Sequence, residues 1–117
     1  MKRQTDKKVK IVFADEKTHS AYLKLKNSRF AYERKMHSLI SEAIGEIKTN
    51  PFCGVEVPHK LIPREYFRKY GVDNLWKYNL SKEWRLIYSN IGDDVQILSV
   101  ILEWFDSHKK YERRFGY

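Results

Sequence analysis

Two short segments of the sequence contain side chains that can bind a phosphate group. Lys77 and Asn79 are two positions apart in WKYN, and Arg85 follows in the segment WRLIY. If both segments are β-strands, alternation places all three side chains on one face of a sheet. A guanidinium stays charged and binds two phosphate oxygens at once, so Arg85 is the strongest candidate ligand. We therefore predict a cationic cluster on a rigid sheet, although such cations also suit a merely solvated strand surface.

The C-terminal segment, DSHKKYERRFGY, offers acid, base and stacking groups. A histidine exchanges its proton near neutral pH, so His108 can act as an acid or a base. Tyr111 and Tyr117 can stack on an unpaired base or donate a proton, and the sequence leaves open which of them does so. The segment shows no apolar stripe, and we predict that it lies on the surface as a basic stretch able to grip RNA.

Other chemistries find little support in the sequence. Asp93 and Asp94 are adjacent carboxylates in one turn and do not converge on a metal, and the histidines lack ligand spacing. The five glycines are scattered, so there is no glycine loop that would cradle a phosphate. Cys53 is the single cysteine, which excludes an internal disulfide and indicates a structural role. We predict no metal site and no cofactor.

Length and charge limit the classes of protein that fit. A chain of 117 residues suits one domain, spanning residues 1–117. Its 23 Lys and Arg against 15 Asp and Glu give a net charge of +8, which attracts nucleic acid or an acidic protein. A merely soluble basic protein is the alternative. The basic N-terminus lacks an apolar region and no segment is long enough to span a membrane, so a cytoplasmic protein is expected.

A β-meander must position the cationic cluster. Three strands are predicted, at residues 75–80, 84–91 and 95–105, joined by two short polar turns. Alternation places Trp76, Tyr78, Leu86 and Tyr88 on the face opposite the cations, which should therefore lie on the core. The third strand is apolar on both faces, as is typical of a central strand.

The elements before the meander provide the layer that covers this core. A strand at residues 9–13 is followed by a helix that Asp15 caps and that runs to residue 26. A second helix, at residues 30–48, has apolar residues at spacings of three and four: Met36, Leu39, Ile40, Ala43, Ile44 and Ile47. The two helices should form a hairpin on the aromatic face of the sheet.

The segment between the hairpin and the meander has two parts: residues 54–61, and a short insert around residues 63–72. The first range is predicted to be a strand, and Pro58 indicates an edge or a bulge. The second is predicted to be a short helix that begins at Pro63 and is capped by Gly71. Its basic and aromatic residues either touch RNA or cover the sheet, and the covering role is favoured.

This order of elements resembles the RelE/ParE toxin superfamily. The likeness spans about residues 9–111, and the segments IKTNP, HKL, WKYNLSKEWRLIYSNI and HKKY are similar to its RelE side. It implies an α+β, RelE-like fold. In that fold an N-terminal strand and a helical hairpin pack on a twisted, mainly antiparallel sheet of four to five strands.

The resemblance also implies an activity. RelE-like proteins are toxins of type II toxin–antitoxin pairs, and they are metal-independent endoribonucleases that cut mRNA in the ribosomal A site. The expected partners are a cognate antitoxin, mRNA and ribosomal RNA, with no membrane. Two alternatives stay open: a ParE-like, non-catalytic inhibitor of DNA gyrase, and a decayed member that only binds RNA or antitoxin.

By position, the resemblance assigns roles to particular residues. Arg85 matches the arginine that binds the phosphate, Lys77 a lysine that adds charge or acts as a base, and Tyr111 and His108 the late tyrosine and histidine. RNA binding is expected of Lys60, Asn79, Lys109, Lys110, Arg113, Arg114 and Tyr117. Two departures stand out: Asn79 occupies the place of a second lysine, which affects the proton-transfer scheme, and the insert is longer than in compact members, which affects ribosome docking.

Overall fold

A five-stranded mixed sheet organises residues 5–116, the part of the chain that the computed structural model describes. In chain order the strands are β1 (Lys8–Phe13), β2 (Val55–Glu56), β3 (Trp76–Asn79), β4 (Arg85–Gly92) and β5 (Gln96–Phe105). Across the sheet the order is β1-β5-β4-β3-β2, with β1 parallel to β5 and the other pairs antiparallel. The helices are α1 (Glu16–Lys26), α2 (Ala31–Thr49), α3 (Arg64–Tyr70) and α4 (His108–Phe115). The predicted α+β class is confirmed.

The helical hairpin lies on one face of the sheet, as predicted. Asp15 caps α1 by accepting a hydrogen bond from the Thr18 N–H at 2.7 Å. Interaction with the Thr18 side chain, and then with this N–H, lowers the pKa of the Asp15 carboxyl. The stripe of α2 is buried at its central positions and meets aromatic and aliphatic residues of β3, β4 and β5. This first core comprises Met36, Ile40, Ala43, Ile47, Trp76, Leu80, Leu86, Tyr88 and Ile101.

The opposite face of the sheet carries a second core, which the sequence did not predict. Helices α3 and α4 cover this face and bury Tyr66 and Tyr111 against it. The second core comprises Val57, Ile62, Tyr66, Val72, Leu75, Ile87, Leu102, Phe105 and Tyr111. Apolar side chains therefore occupy the middle of the face on which the sequence placed the cations.

A β-bulge in β5 allows this strand to serve both cores. Ile87 pairs with Glu103 whereas the next residue, Tyr88, pairs with Ile101, so Leu102 has no partner in β4. The extra residue shifts the alternation by one position. As a result Leu102 joins Phe105 in the second core while Ile101 points into the first.

The C-terminal segment is a helix, so the prediction of a surface stretch without an apolar stripe is wrong. Ser107 caps α4 by accepting a hydrogen bond from the Lys110 N–H, and Gly116 ends it in a left-handed conformation with φ of 76°. Tyr111 and Phe115 are four residues apart, and both contact the second core. Burial of these two rings holds α4 on the sheet.

The segment between α2 and β3 differs from its prediction in the part that precedes α3. The strand expected over residues 54–61 is limited to Val55–Glu56, because the chain turns at Pro58 into a 3-10 turn at His59–Leu61. The short helix is confirmed: α3 follows Pro63 and ends at Gly71, whose φ is 65°. Its aromatic residues cover the sheet, which was the favoured interpretation. No helix within residues 5–116 has the length and apolar character needed to cross a membrane.

Candidate functional site

Two cations from neighbouring strands converge on one tyrosine of α4. Lys77 Nζ donates a hydrogen bond to the Tyr111 hydroxyl at 3.4 Å and lies 5.7 Å from the centre of its ring. The guanidinium carbon of Arg85 lies 5.8 Å from the same centre. We call Lys77, Arg85 and Tyr111 the tyrosine-centred cluster. It joins residues that the sequence had singled out separately.

Sheet register and ring packing fix the geometry of this cluster. Arg85 pairs with Asn79 on one side and with Phe105 on the other, at the end of the sheet where α4 begins. The Tyr111 ring packs edge-on against Phe105 at 5.9 Å and lies 4.6 Å from Phe115. Only 3% of the Tyr111 surface is exposed, so its position depends on the second core.

The β3–β4 turn orients the Arg85 guanidinium. Its Nη1 donates to the carbonyl oxygens of Ser81, Lys82 and Trp84 at 3.2, 3.2 and 3.1 Å. A guanidinium has five N–H donors in one plane. Hydrogen bonds at one nitrogen fix the orientation of that plane, and the N–H groups on the other nitrogens remain suited to binding an anion. Two positive charges beside the same phenol ring form a local field that favours a phosphate group.

His108 lies at the margin of the cluster, one helical turn before Tyr111. The two rings are stacked with their centres 6.5 Å apart, and the His108 side chain is 49% exposed. Its Nε2 lies 2.5 Å from a carboxylate oxygen of Glu112. Sequence reasoning missed Glu112, although the spacing of four residues would have indicated the contact had the segment been recognised as a helix. The neighbouring carboxylate orients the imidazole.

The other predicted RNA ligands lie around this cluster in different settings. Asn79 is exposed beside Arg85, and Lys60 is exposed in the 3-10 turn. Lys109 and Arg113 are exposed on α4, and Lys110 is exposed too but pairs with Asp106 at 2.9 Å. Tyr117 lies outside the described residues. Tyr111 is therefore the tyrosine that the described structure places beside the cations.

Arg114 has a different environment from the remaining cations of α4. It forms ion pairs with Glu65 of α3 and, at 3.5 Å, with Glu103 of β5. Although burial acts against the charged form, these carboxylates raise the pKa of Arg114 above its ordinary value. Arg114 thus connects α4 to α3 and to the sheet.

The site offers charge and proton-exchanging groups. Two cations can stabilise negative charge on a phosphate, while Tyr111 and His108 can donate or accept protons. Among residues 5–116, no group of three or more His, Cys, Asp or Glu side chains is arranged to hold a metal ion.

Comparison with known proteins gives no further assignment. No protein-family model matches the chain, and searches of curated proteins and of solved structures give no significant match.

Proposed function

We propose that this protein is the toxin of a type II toxin–antitoxin pair, with a RelE-like fold, and that it cleaves mRNA on the ribosome without a metal ion. The observation that carries the proposal is the convergence of Lys77 and Arg85 on the side chain of Tyr111. The net charge of +8 supports a polyanionic substrate. A ribosomal target would place its action in the cytoplasm.

The cluster accounts for the three requirements of RNA cleavage by transesterification. The 2′-hydroxyl must lose a proton and attack the phosphorus, the phosphorane must be stabilised, and the departing 5′ oxygen must gain a proton. Arg85 serves the second requirement, because its guanidinium can bind two equatorial oxygens and the β3–β4 turn holds it in place.

Tyr111 and His108 are assigned the two proton transfers. Tyr111 donates to the 5′ oxygen, because the ammonium of Lys77 beside its hydroxyl stabilises the phenolate that is left. His108 accepts the proton of the 2′-hydroxyl, and the Glu112 carboxylate, in contact with its Nε2, holds the imidazole in place. The products are a 2′,3′-cyclic phosphate and a 5′-hydroxyl end, and the enzyme's protons are restored by exchange with water.

A cognate antitoxin would restrain this activity. An acidic segment covering Lys77, Arg85 and the exposed cations of α4 would block RNA and remove the repulsion among like charges. Because these cations lie at the surface, added salt should weaken such a complex. An affinity that does not depend on salt would instead indicate an apolar interface elsewhere.

The test is cleavage of a defined mRNA on programmed ribosomes. Purified protein should release fragments with 5′-hydroxyl ends in the presence of a chelator of divalent ions, added at a level that leaves the ribosomes intact. Arg85→Ala should abolish the fragments, and Lys35→Ala, which changes an exposed cation of α2, should not. Intact mRNA together with inhibition of DNA gyrase would overturn the proposal in favour of a ParE-like inhibitor.

A further inference from the structure

Helices α3 and α4 are both strongly basic, as is the N-terminal segment at residues 2–10. Helix α3 has three cationic residues and one acidic residue, and α4 has four and one, so together they carry +5 of the chain's +8. In α2, three cationic and three acidic residues cancel. The two basic helices contact each other through the Tyr66 and Phe115 rings, 5.8 Å apart, and through the Arg114–Glu65 ion pair. We call this pair of helices the α3–α4 layer.

The outer face of this layer presents charge with little apolar surface, because Phe67, Tyr70 and Phe115 are partly buried. Its exposed cations are Arg64, Arg68, Lys69, Lys109, Lys110 and Arg113. The aromatic residues of both helices contribute to the second core: Tyr66, Phe67, Tyr70, Tyr111 and Phe115. Among the described residues, the exposed large apolar side chains all lie outside α3 and α4. The layer can therefore neutralise phosphates but offers few rings on which unpaired bases could stack.

We propose that the α3–α4 layer is a docking surface for the phosphate backbone of base-paired RNA. Single-stranded RNA is bound through aromatic stacking together with charge, whereas duplex RNA is recognised through its shape, phosphates and 2′-hydroxyls. Protein–protein interfaces usually bury an apolar centre, which this face does not offer, so an antitoxin segment would contact it through charge alone. A surface that offers positive charge, but few rings for stacking and little apolar area, suits the phosphate backbone of an RNA duplex.

Helix α3 is the new element in this assignment. Its inner face covers the sheet, while its outer face adds Arg64, Arg68 and Lys69 to the cations of α4. Because α4 also carries Tyr111, a duplex on the layer would lie next to the tyrosine-centred cluster. The inference shares RNA as a partner with the proposed function, but it concerns binding and does not require cleavage.

The experiment measures binding of a blunt RNA duplex of about 16 base pairs, long enough to present two successive minor grooves. The variant combines Arg64→Gln, Arg68→Gln and Lys69→Gln, all at exposed positions. We expect duplex affinity to fall about tenfold or more, and the slope of log affinity against log salt to fall by roughly 2 to 3, because each phosphate contact contributes close to one.

A matched variant separates position from net charge. Lys24→Gln, Lys35→Gln and Lys48→Gln remove the same charge from exposed positions of α1 and α2, the hairpin on the other face of the sheet. This variant should keep duplex affinity within about twofold, apart from the small effect of net charge. Equal losses in the two variants would overturn the inference. If the triple α3 variant fails to fold, Arg64→Gln and Arg68→Gln singly should give smaller losses of the same kind.

Further outcomes distinguish this inference from the proposed nuclease. Undiminished duplex binding by the α3 variant, with mRNA cleavage by the wild type, would overturn the docking surface alone. Duplex binding that depends on α3, without any cleavage, would support the docking surface and overturn the nuclease. Tighter binding of polyglutamate than of duplex RNA, lost in the α3 variant, would assign the layer to an acidic protein and overturn the inference.

Discussion

Lys77 and Tyr111 are 34 residues apart in the sequence, yet Lys77 Nζ lies 3.4 Å from the Tyr111 hydroxyl oxygen. The lysine is fixed by β3 and the tyrosine by α4, so the contact forms only when α4 is packed on the second core. The chemistry proposed for the hydroxyl is therefore coupled to the stability of the last helix.

Arg85→Ala should reduce mRNA cleavage by orders of magnitude without unfolding the protein. The side chain is half-buried at a strand end, and its charge is needed mainly when the phosphorane forms. Arg85→Lys should restore activity only in part, because an ammonium is a point charge and not a planar fork. Single-turnover rates on programmed ribosomes measure this effect. Lys82→Ala, in the adjacent turn, is the control and should keep the wild-type rate.

Two substitutions of Tyr111 should separate chemistry from folding. Tyr111→Phe keeps the packing against Phe105 and Phe115 but removes the hydroxyl, so the cleavage rate should fall while thermal stability changes little. Tyr111→Ala empties a buried site and should lower the free energy of unfolding by about 3 to 5 kcal/mol. A full cleavage rate in Tyr111→Phe would show that the ring acts by packing or stacking and does not donate a proton.

His108 should control how cleavage depends on pH. If His108 accepts the proton of the 2′-hydroxyl, His108→Ala lowers the rate and changes its dependence on pH. Glu112→Gln removes the carboxylate that contacts His108 Nε2, so it should lower the rate by leaving the imidazole less well oriented. An unchanged profile in His108→Ala, with weaker RNA binding, would limit His108 to gripping RNA.

Gly54→Ala should destabilise the sheet beside Lys77. A Cβ at this position would lie 2.7 Å from the Lys77 carbonyl oxygen and 2.8 Å from the Tyr88 hydroxyl, and a backbone atom cannot easily move away. We expect a loss of about 1 to 3 kcal/mol in the free energy of unfolding. Gly45→Ala is the matched control: its Cβ would meet nothing within 4 Å on α2, so it should gain about 0.5 to 1 kcal/mol. Equal effects in chemical denaturation would contradict this interpretation.

Buried tyrosines should make the fold sensitive to alkali. Burial is the main cause of the raised pKa of Tyr66, and the Glu103 carboxylate raises it further. Burial is also the main cause of the raised pKa of Tyr88. A tyrosine in the unfolded chain ionises near pH 10, so the unfolded state releases these protons first. The stabilisation is therefore complete below about pH 10 and is lost as the pH rises above it. Tyrosinate absorbance should increase together with loss of tertiary circular dichroism.

A pair of phenylalanine substitutions tests this explanation. The Tyr88 hydroxyl donates to the Pro51 carbonyl at 2.8 Å and accepts from the Gly54 N–H at 3.1 Å, so Tyr88→Phe should cost about 1 to 3 kcal/mol at neutral pH. The Tyr66 hydroxyl is buried without a well-formed hydrogen bond to the described residues. Tyr66→Phe should therefore be neutral or stabilising at pH 7, and it should weaken the loss of stability above pH 10. Greater destabilisation by Tyr66→Phe than by Tyr88→Phe would contradict the view that the Tyr88 hydroxyl is the better hydrogen-bonded of the two.

Local physics made much of the fold predictable from the sequence. The cap at Asp15, the stripe from Met36 to Ile47, the alternation in the strands and the stop at Gly71 each depend on neighbours within a few residues. The pattern of charged residues likewise identified Lys77 and Arg85 as neighbours on one sheet face. Signals for α4 were also present, because Ser107 and Gly116 cap a segment with rings four residues apart, but its short length hid them.

Tertiary structure alone decided which of these groups meet. No local pattern distinguishes Tyr111, which is buried against Phe105, from a surface tyrosine, and none shows that Arg114 pairs with Glu65 and Glu103. The bulge at Leu102, which allows β5 to serve two cores, depends on the packing of both faces at once. The sequence by itself determined the chemical groups and the strands that carry Lys77 and Arg85. The contact between Lys77 and Tyr111 required long-range burial, since only packing of α4 on the sheet offsets the conformational entropy lost in joining distant segments.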